Sequence, residues 1–177
     1  MRLFTAIEIP ESIKNSLAKV QDKIDSRAAR IRLVDKSQMH ITLKFLGKVS
    51  EEKAEGIKER LKQVKVKPFC LILDKVGFFP NENYIRVVWA GIRESEELIK
   101  IQEDVEDALR EFGFKKDYKF HPHITLARVK LVDDRDKFIE SLKKIKLEKE
   151  RIDVKDFRLV KSTLTPKGPV YEDIAVF

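Results

Sequence analysis

The tetrapeptide His-Ile-Thr-Leu occurs twice, at residues 40–43 and 123–126, and the two copies stand 83 positions apart. The same order of elements can be read around each. Residues 2–9 alternate as a half-buried strand closed by Pro10. Ile13, Leu17, Val20 and Ile24 then recur at helical steps over 11–27, where a proline just ahead of the start is tolerated. Met39 to Leu46 reads as a strand stopped by Gly47, and 50–64 as a helix with Ser50 at its N-cap. The set returns as strand 84–91, helix 95–111, strand 122–129 and helix 133–146. In the second set, Leu98, Ile101, Val105 and Leu109 form the helix stripe, with Ser95 as cap and Gly113 near the end.

The 83-residue offset takes Phe4 to Val87 and Ile9 to Ile92, but Val20 to Glu103. The strands keep register and the helix stripe does not, as a difference in loop length would produce. Two copies are too few for a solenoid. They predict an α+β fold over residues 1–177, a single domain with a repeat at about 2–64 and 84–146. Its two pseudo-symmetric lobes, each an antiparallel sheet with helices on the outer face, enclose a central cleft. Outside the repeat, Ile31–Val34 reads as a short strand, and Phe69–Phe78 joins Tyr84–Gly91 through turn residues 79–83. Ile152–Thr163 and Val170–Phe177 read as strands separated by Thr165-Pro166-Lys167-Gly168-Pro169.

A chain of 177 residues buries enough apolar surface to fold without covalent staples. Cys70 is the only cysteine, which excludes an intramolecular disulfide and a cysteine-rich zinc knuckle; inside the apolar run 69–73 it reads as a buried small hydrophobe. The N-terminal apolar run is short and interrupted by Glu8, unlike a signal peptide, and no segment reaches the roughly 20 apolar residues of a membrane span. A cytoplasmic protein is expected. The net charge of +7 admits a polyanionic partner. Charged residues make up 38% of the chain, with Lys and Glu interspersed as on thermophile surfaces, so basicity alone does not identify that partner.

The chemistry resides in the duplicated tetrapeptide. Strand side chains alternate, so His40 and Thr42 share one face while Ile41 and Leu43 anchor the other; His123 and Thr125 repeat the arrangement. One His-x-Thr on a strand carries little weight. Two at matching places of a repeat describe a cleft with an imidazole and a hydroxyl from each side. That set suits in-line displacement at phosphorus, where one group takes a proton from the nucleophile and another gives one to the leaving oxygen. Histidine, with an ordinary pKa near roughly 6.5, can do either, and the threonine hydroxyls can donate to non-bridging oxygens.

His121 admits a competing arrangement, a three-histidine metal site with His40 and His123. The first copy has Gln38 at the matching position, and no carboxylate is evident nearby to orient such ligands. The expectation is no metal and no cofactor, with His121 a polar neighbour of the cleft or a strand-entry residue.

The paired His-x-Thr-x sequences in a tandem α+β repeat resemble the two-histidine phosphoesterase superfamily. Within it, the branch named RNA 2′,3′-cyclic phosphodiesterase or 2′-5′ RNA ligase is most similar. The text that carries the likeness is residues 2–7, 39–47, 84–91, 120–128 and 161–163, so it spans essentially the whole chain. The resemblance implies hydrolysis of an RNA 2′,3′-cyclic phosphate to a 2′-phosphomonoester, with His40 as proton donor and His123 as proton acceptor. Run in reverse with a 5′-hydroxyl, the same groups would form a 2′-5′ linkage. The residues themselves leave the two histidines near equals. The resemblance also implies that Phe45 stacks on a base and Arg128 meets phosphate. Each lies five residues past its histidine, so a regular strand would turn both away from the cleft. The implied partner is RNA with a cyclic phosphate end, tRNA-derived RNA among the candidates, acted on by a monomer with no membrane contact. Turnover of a small cyclic nucleotide and a non-catalytic RNA-binding module remain alternatives.

Overall fold

The computed structural model describes every residue except Tyr118 and Lys167, so one position of the turn read at 165–169 lies outside the described residues. In chain order the elements are β1 (Arg2–Glu8), α1 (Glu11–Gln21), β2 (Ala29–Leu33), β3 (His40–Lys48), α2 (Glu51–Leu61), β4 (Phe69–Asn81) and β5 (Tyr84–Ile92). Then follow α3 (Glu96–Ala108), β6 (His123–Val132), α4 (Arg135–Lys144), β7 (Arg151–Val154), β8 (Arg158–Thr165) and β9 (Gly168–Val176).

The strands pair antiparallel in the order β7-β4-β5-β6-β3-β1-β8-β9, with β2 also on β6. Outward from the β3–β6 junction this order mirrors itself. β3 is flanked by β1 and then β8, while β6 is flanked by β5 and then β4. The junction is a single partner pair, Ile41 with Ile124. Beyond it β2 takes over the edge of β6, starting at Leu33 opposite Ala127, so β3 and β6 part company. That parting opens one face of the sheet.

The opposite face is covered by helices. Ile41 and Ile124, together with Leu17, Ile57, Leu98, Val105 and Phe138, belong to one continuous buried core. Side chains of this size contribute about 1.5–3 kcal/mol each when fully buried. Ser50 and Ser95 cap α2 and α3 as expected, accepting from the Lys53 and Leu98 amides. Gly113 ends the short 3-10 turn Arg110–Phe112 with φ 71°, a left-handed conformation that suits glycine.

Three expectations are redrawn. α1 stops at Gln21, short of residue 27, and Ile24 stays in the core from the turn that follows. β4 runs on to Asn81, whose side-chain oxygen accepts the amides of Asn83 and Tyr84 and makes the turn itself. The strand read at 152–163 is two strands, β7 on β4 and β8 on β1. Between them the buried Phe157 exchanges backbone hydrogen bonds with Phe177 as the chain crosses from one half to the other. Apolar content is the same for one long strand or two.

Candidate active site

At the junction, Ile41 opposite Ile124 fixes the register of the two His-x-Thr pairs. In an antiparallel ladder it sets His40 beside Thr125 and His123 beside Thr42, all on the open face. These four side chains line one cavity of about 110 Å³.

The rings are held alike. His40 Nδ1 lies 2.7 Å from the Gln38 carbonyl oxygen, and His123 Nδ1 lies 2.7 Å from the His121 carbonyl oxygen. A carbonyl only accepts, so each Nδ1 carries the proton and each Nε2 is the atom left for chemistry. His40 Nε2 stands 3.0 Å from Thr42 Oγ1, whose hydroxyl donates to it in this tautomer. Positions 38 and 121 thus act through main-chain oxygen, which Gln and His supply equally. The His121 ring itself packs toward Phe79, with centroids 6.0 Å apart.

Beyond each threonine both strands break their alternation. Ala6 and Thr5 of β1 pair with Thr42 and Lys44, leaving Leu43 as an extra residue. In β5, Trp89 and Val88 pair with Thr125 and Ala127, leaving Leu126 as the extra residue. Each is a β-bulge, which moves later residues to the other face. Phe45 and Arg128, turned away on a regular strand, therefore return to the open face and line the same cavity as the histidines. The bulges are braced from below by buried polar groups on the crossing helices. Gln21 of α1 donates to the Leu126 carbonyl at 2.7 Å, and Glu106 of α3 pairs with Lys44 Nζ at 2.7 Å.

Aromatic walls back both imidazoles. Phe4 and Tyr171 lie 4.8 and 5.4 Å from the His40 ring, Phe79 and Trp89 lie 5.0 and 6.3 Å from the His123 ring. Burial pushes His40 down to about 4, against the Gln38 carbonyl and Glu8 carboxylate that pull it up; His123 and Lys14 depress it further. Burial likewise holds His123 below its ordinary value, with the His121 carbonyl pulling it up and the His121 ring pushing it down. Both shifts favour the neutral ring. Among the described residues no three His, Cys, Asp or Glu side chains gather as a metal-binding group.

The model of the LigT-like phosphoesterases matches this chain twice, over residues 7–89 and 91–171. The chain belongs to that family. The two matched segments meet between β5 residues Trp89 and Gly91. The RNA 2′,3′-cyclic phosphodiesterase of Methanocaldococcus jannaschii is 43% identical over 175 residues, covering 98% of each chain. That of Archaeoglobus fulgidus is 39% identical, covering 100% of this chain and 99% of the relative. A crystal structure of a Thermus thermophilus protein superposes with a TM-score of 0.84 at 31% identity, covering 100% of this chain and 97% of that one. Escherichia coli LigT complexed with 3′-AMP does so with 0.77 at 27%, covering 99% and 96%.

In this LigT-like chain, sequence reasoning finds the histidines and threonines but misses the aromatic walls. It assigns Trp89 no role and places Phe79 in a turn. The signal is present in the glycines. A Cβ on Gly77 would fall 2.2 Å, and one on Gly91 2.8 Å, from the Trp89 ring, so both glycines make room for the indole beside His123.

Proposed function

We propose that this LigT-like phosphoesterase is an RNA 2′,3′-cyclic phosphodiesterase, hydrolysing the cyclic end to a 2′-phosphomonoester without a metal. The observation that carries the reading is the Ile41–Ile124 junction, which brings two carbonyl-anchored imidazoles and two threonine hydroxyls to one small cavity. The names of the relatives support it.

In the forward direction water attacks phosphorus and loses a proton to His123 Nε2. The bond from phosphorus to the 3′ oxygen breaks, and that oxygen takes a proton from His40 Nε2. Thr42 and Thr125 donate to the non-bridging oxygens, where hydrogen bonds to developing charge are worth about 1.5–3 kcal/mol each. The depressed pKa of His40 makes its cationic form scarce in the free protein. An anionic phosphate in the cavity favours the charged ring, so substrate entry and protonation are coupled. Phe45, 71% exposed at the rim, stacks on the terminal base, and Arg128 meets phosphate. With a 5′-hydroxyl in place of water, the same two groups form a 2′-5′ linkage.

The site belongs to a single two-lobed domain built by the repeat. Its expected setting is a monomer in the cytoplasm acting on cleaved RNA, tRNA fragments included; no helix among the described residues is long and apolar enough to cross a membrane.

The test is the identity of the product end. A short RNA closed by a 2′,3′-cyclic phosphate, incubated with the protein and a chelator and read by phosphorus NMR, should yield the 2′-monoester. A 3′-monoester, or dependence on added metal, would reject the mechanism. Faster turnover of a cyclic mononucleotide than of the oligomer would reassign the substrate.

A further inference from the structure

The pseudo-symmetry that makes the two histidines equals in sequence breaks at one position. Glu8 is the cross-strand partner of His40, and Gly91, which stands 83 positions after Glu8, is the cross-strand partner of His123. Directly opposite residues of an antiparallel pair present their side chains on the same face. His40 therefore has a carboxylate across the ladder at the place where, opposite His123, the chain has glycine. The vacancy at Gly91 is enforced, because a Cβ there would meet the Trp89 ring at 2.8 Å and the Lys75 carbonyl at 3.3 Å. The second half gives that place to an aromatic wall.

Glu8 is fixed in place. Lys14 of α1 reaches its Oε1 at 2.5 Å, and Arg158 of β8 lies 3.4 Å from its Oε2. Arg158 in turn pairs with Asp173 of β9 and lies 3.9 Å from Asp156. Of these groups Glu8, Asp173 and Arg158 line, with His40 and Tyr171, a cavity of about 210 Å³, while Lys14 and Asp156 pair with them from outside it. On the His123 side, His121 disfavours the ring's positive charge, Arg32 and Arg128 line the cavity that the ring shares with His40, and Phe79 and Trp89 complete the wall.

Resting on the phosphodiesterase reading above, we infer that Glu8 is a positioning residue that assigns the proton-donor role, by supporting the charged form of His40 where Gly91 leaves His123 without such support. The carboxylate never touches substrate; it acts through the ring. The sign of the Glu8 contribution agrees, since it favours protonation of His40 against the burial that opposes it.

The experiment compares the pH dependence of kcat/KM for the wild-type protein and Glu8→Gln on a cyclic-ended RNA. Above the pKa values of both rings, the active fraction scales with protonated donor. Below both, it scales with neutral acceptor. If His40 is the donor, Glu8→Gln loses about 3–10-fold on the alkaline side, as a shift of half to one pKa unit gives. It converges with wild type on the acid side. Proton NMR titration of the imidazole resonances should show the His40 pKa falling and that of His123 holding, which separates the effect from misfolding. Glu8→Asp should restore most of the alkaline rate. A gain confined to the acid side would make His40 the acceptor and overturn the inference, as would a change equal at every pH or an unmoved His40 titration. An inactive wild-type protein would instead sink the phosphodiesterase reading.

Discussion

Leu43 and Leu126, 83 residues apart in sequence, are the extra residues of two matching β-bulges, one just past each His-x-Thr pair. Each bulge turns the next segment over, so Phe45 and Arg128 face the histidines instead of the core. The site is therefore two strand ends whose alternation breaks at the same place, and its proposed substrate contacts depend on that break.

Phe45→Ala should raise KM for a cyclic-ended RNA by about 10-fold, since stacking is worth roughly 1–3 kcal/mol per base. Arg128→Ala should raise it similarly through a lost charged hydrogen bond. Both side chains are exposed, so melting temperatures should hold. Steady-state kinetics beside thermal melting checks both halves of this expectation.

The bulges have buried supports at matching helix positions. Gln21 and Glu106 stand 85 residues apart, as do Val20 and Val105 on the same two stripes. Glu106→Leu leaves the buried Lys44 with only the exposed Asp117 carboxylate, 3.6 Å away, to offset its charge, and should cost about 3 kcal/mol in urea unfolding. Adding Lys44→Met should recover much of that. Gln21→Ala leaves the Leu126 carbonyl without its helix donor and should cost about 1–3 kcal/mol.

Gly91→Ala should destabilise by about 1–3 kcal/mol, because the new methyl overlaps the Trp89 ring. Trp89→Leu in the same chain should relieve the overlap. A double-mutant cycle measures this directly as a negative coupling; additive costs would mean that the indole does not require the glycine.

The kcat and kcat/KM profiles should differ in pH. The free protein holds His40 at about 4 through burial, so its protonated form thins out as pH rises. A bound phosphate raises that pKa, and the alkaline limb of kcat should lie at higher pH than that of kcat/KM. Stopped-flow measurements across pH 4–9 (roughly the window around an ordinary histidine) would show this; coincident limbs would argue against coupling of protonation to substrate entry.

Much of this is legible in the sequence because the repeat doubles each weak signal. His40 and His123 identify each other, and Ser50 and Ser95 announce their helices. The bulges are harder to see, although the apolar positions Ile41, Leu43 and Leu46 step by two and then three, and Ile124, Leu126 and Val129 do the same. A period of two that skips once is the mark of an inserted strand residue. The helix stripes match at 85 and not at 83 because β5 runs one residue past Gly91, the match of Glu8, and the loop before α3 is one residue longer, Arg93–Ser95 against Ile9–Pro10. Tyr171 and Phe79 could not be placed beside the rings from sequence, since their partners lie on strands distant in the chain.

The most direct test is single-turnover hydrolysis of a cyclic-ended RNA by His40→Ala, His123→Ala and the double variant, with folding checked by circular dichroism. Each single change should slow the chemical step by about 100-fold or more, and the double should be little slower than either, as for groups that act as a unit. Wild-type rates in either folded single variant would contradict paired-histidine catalysis.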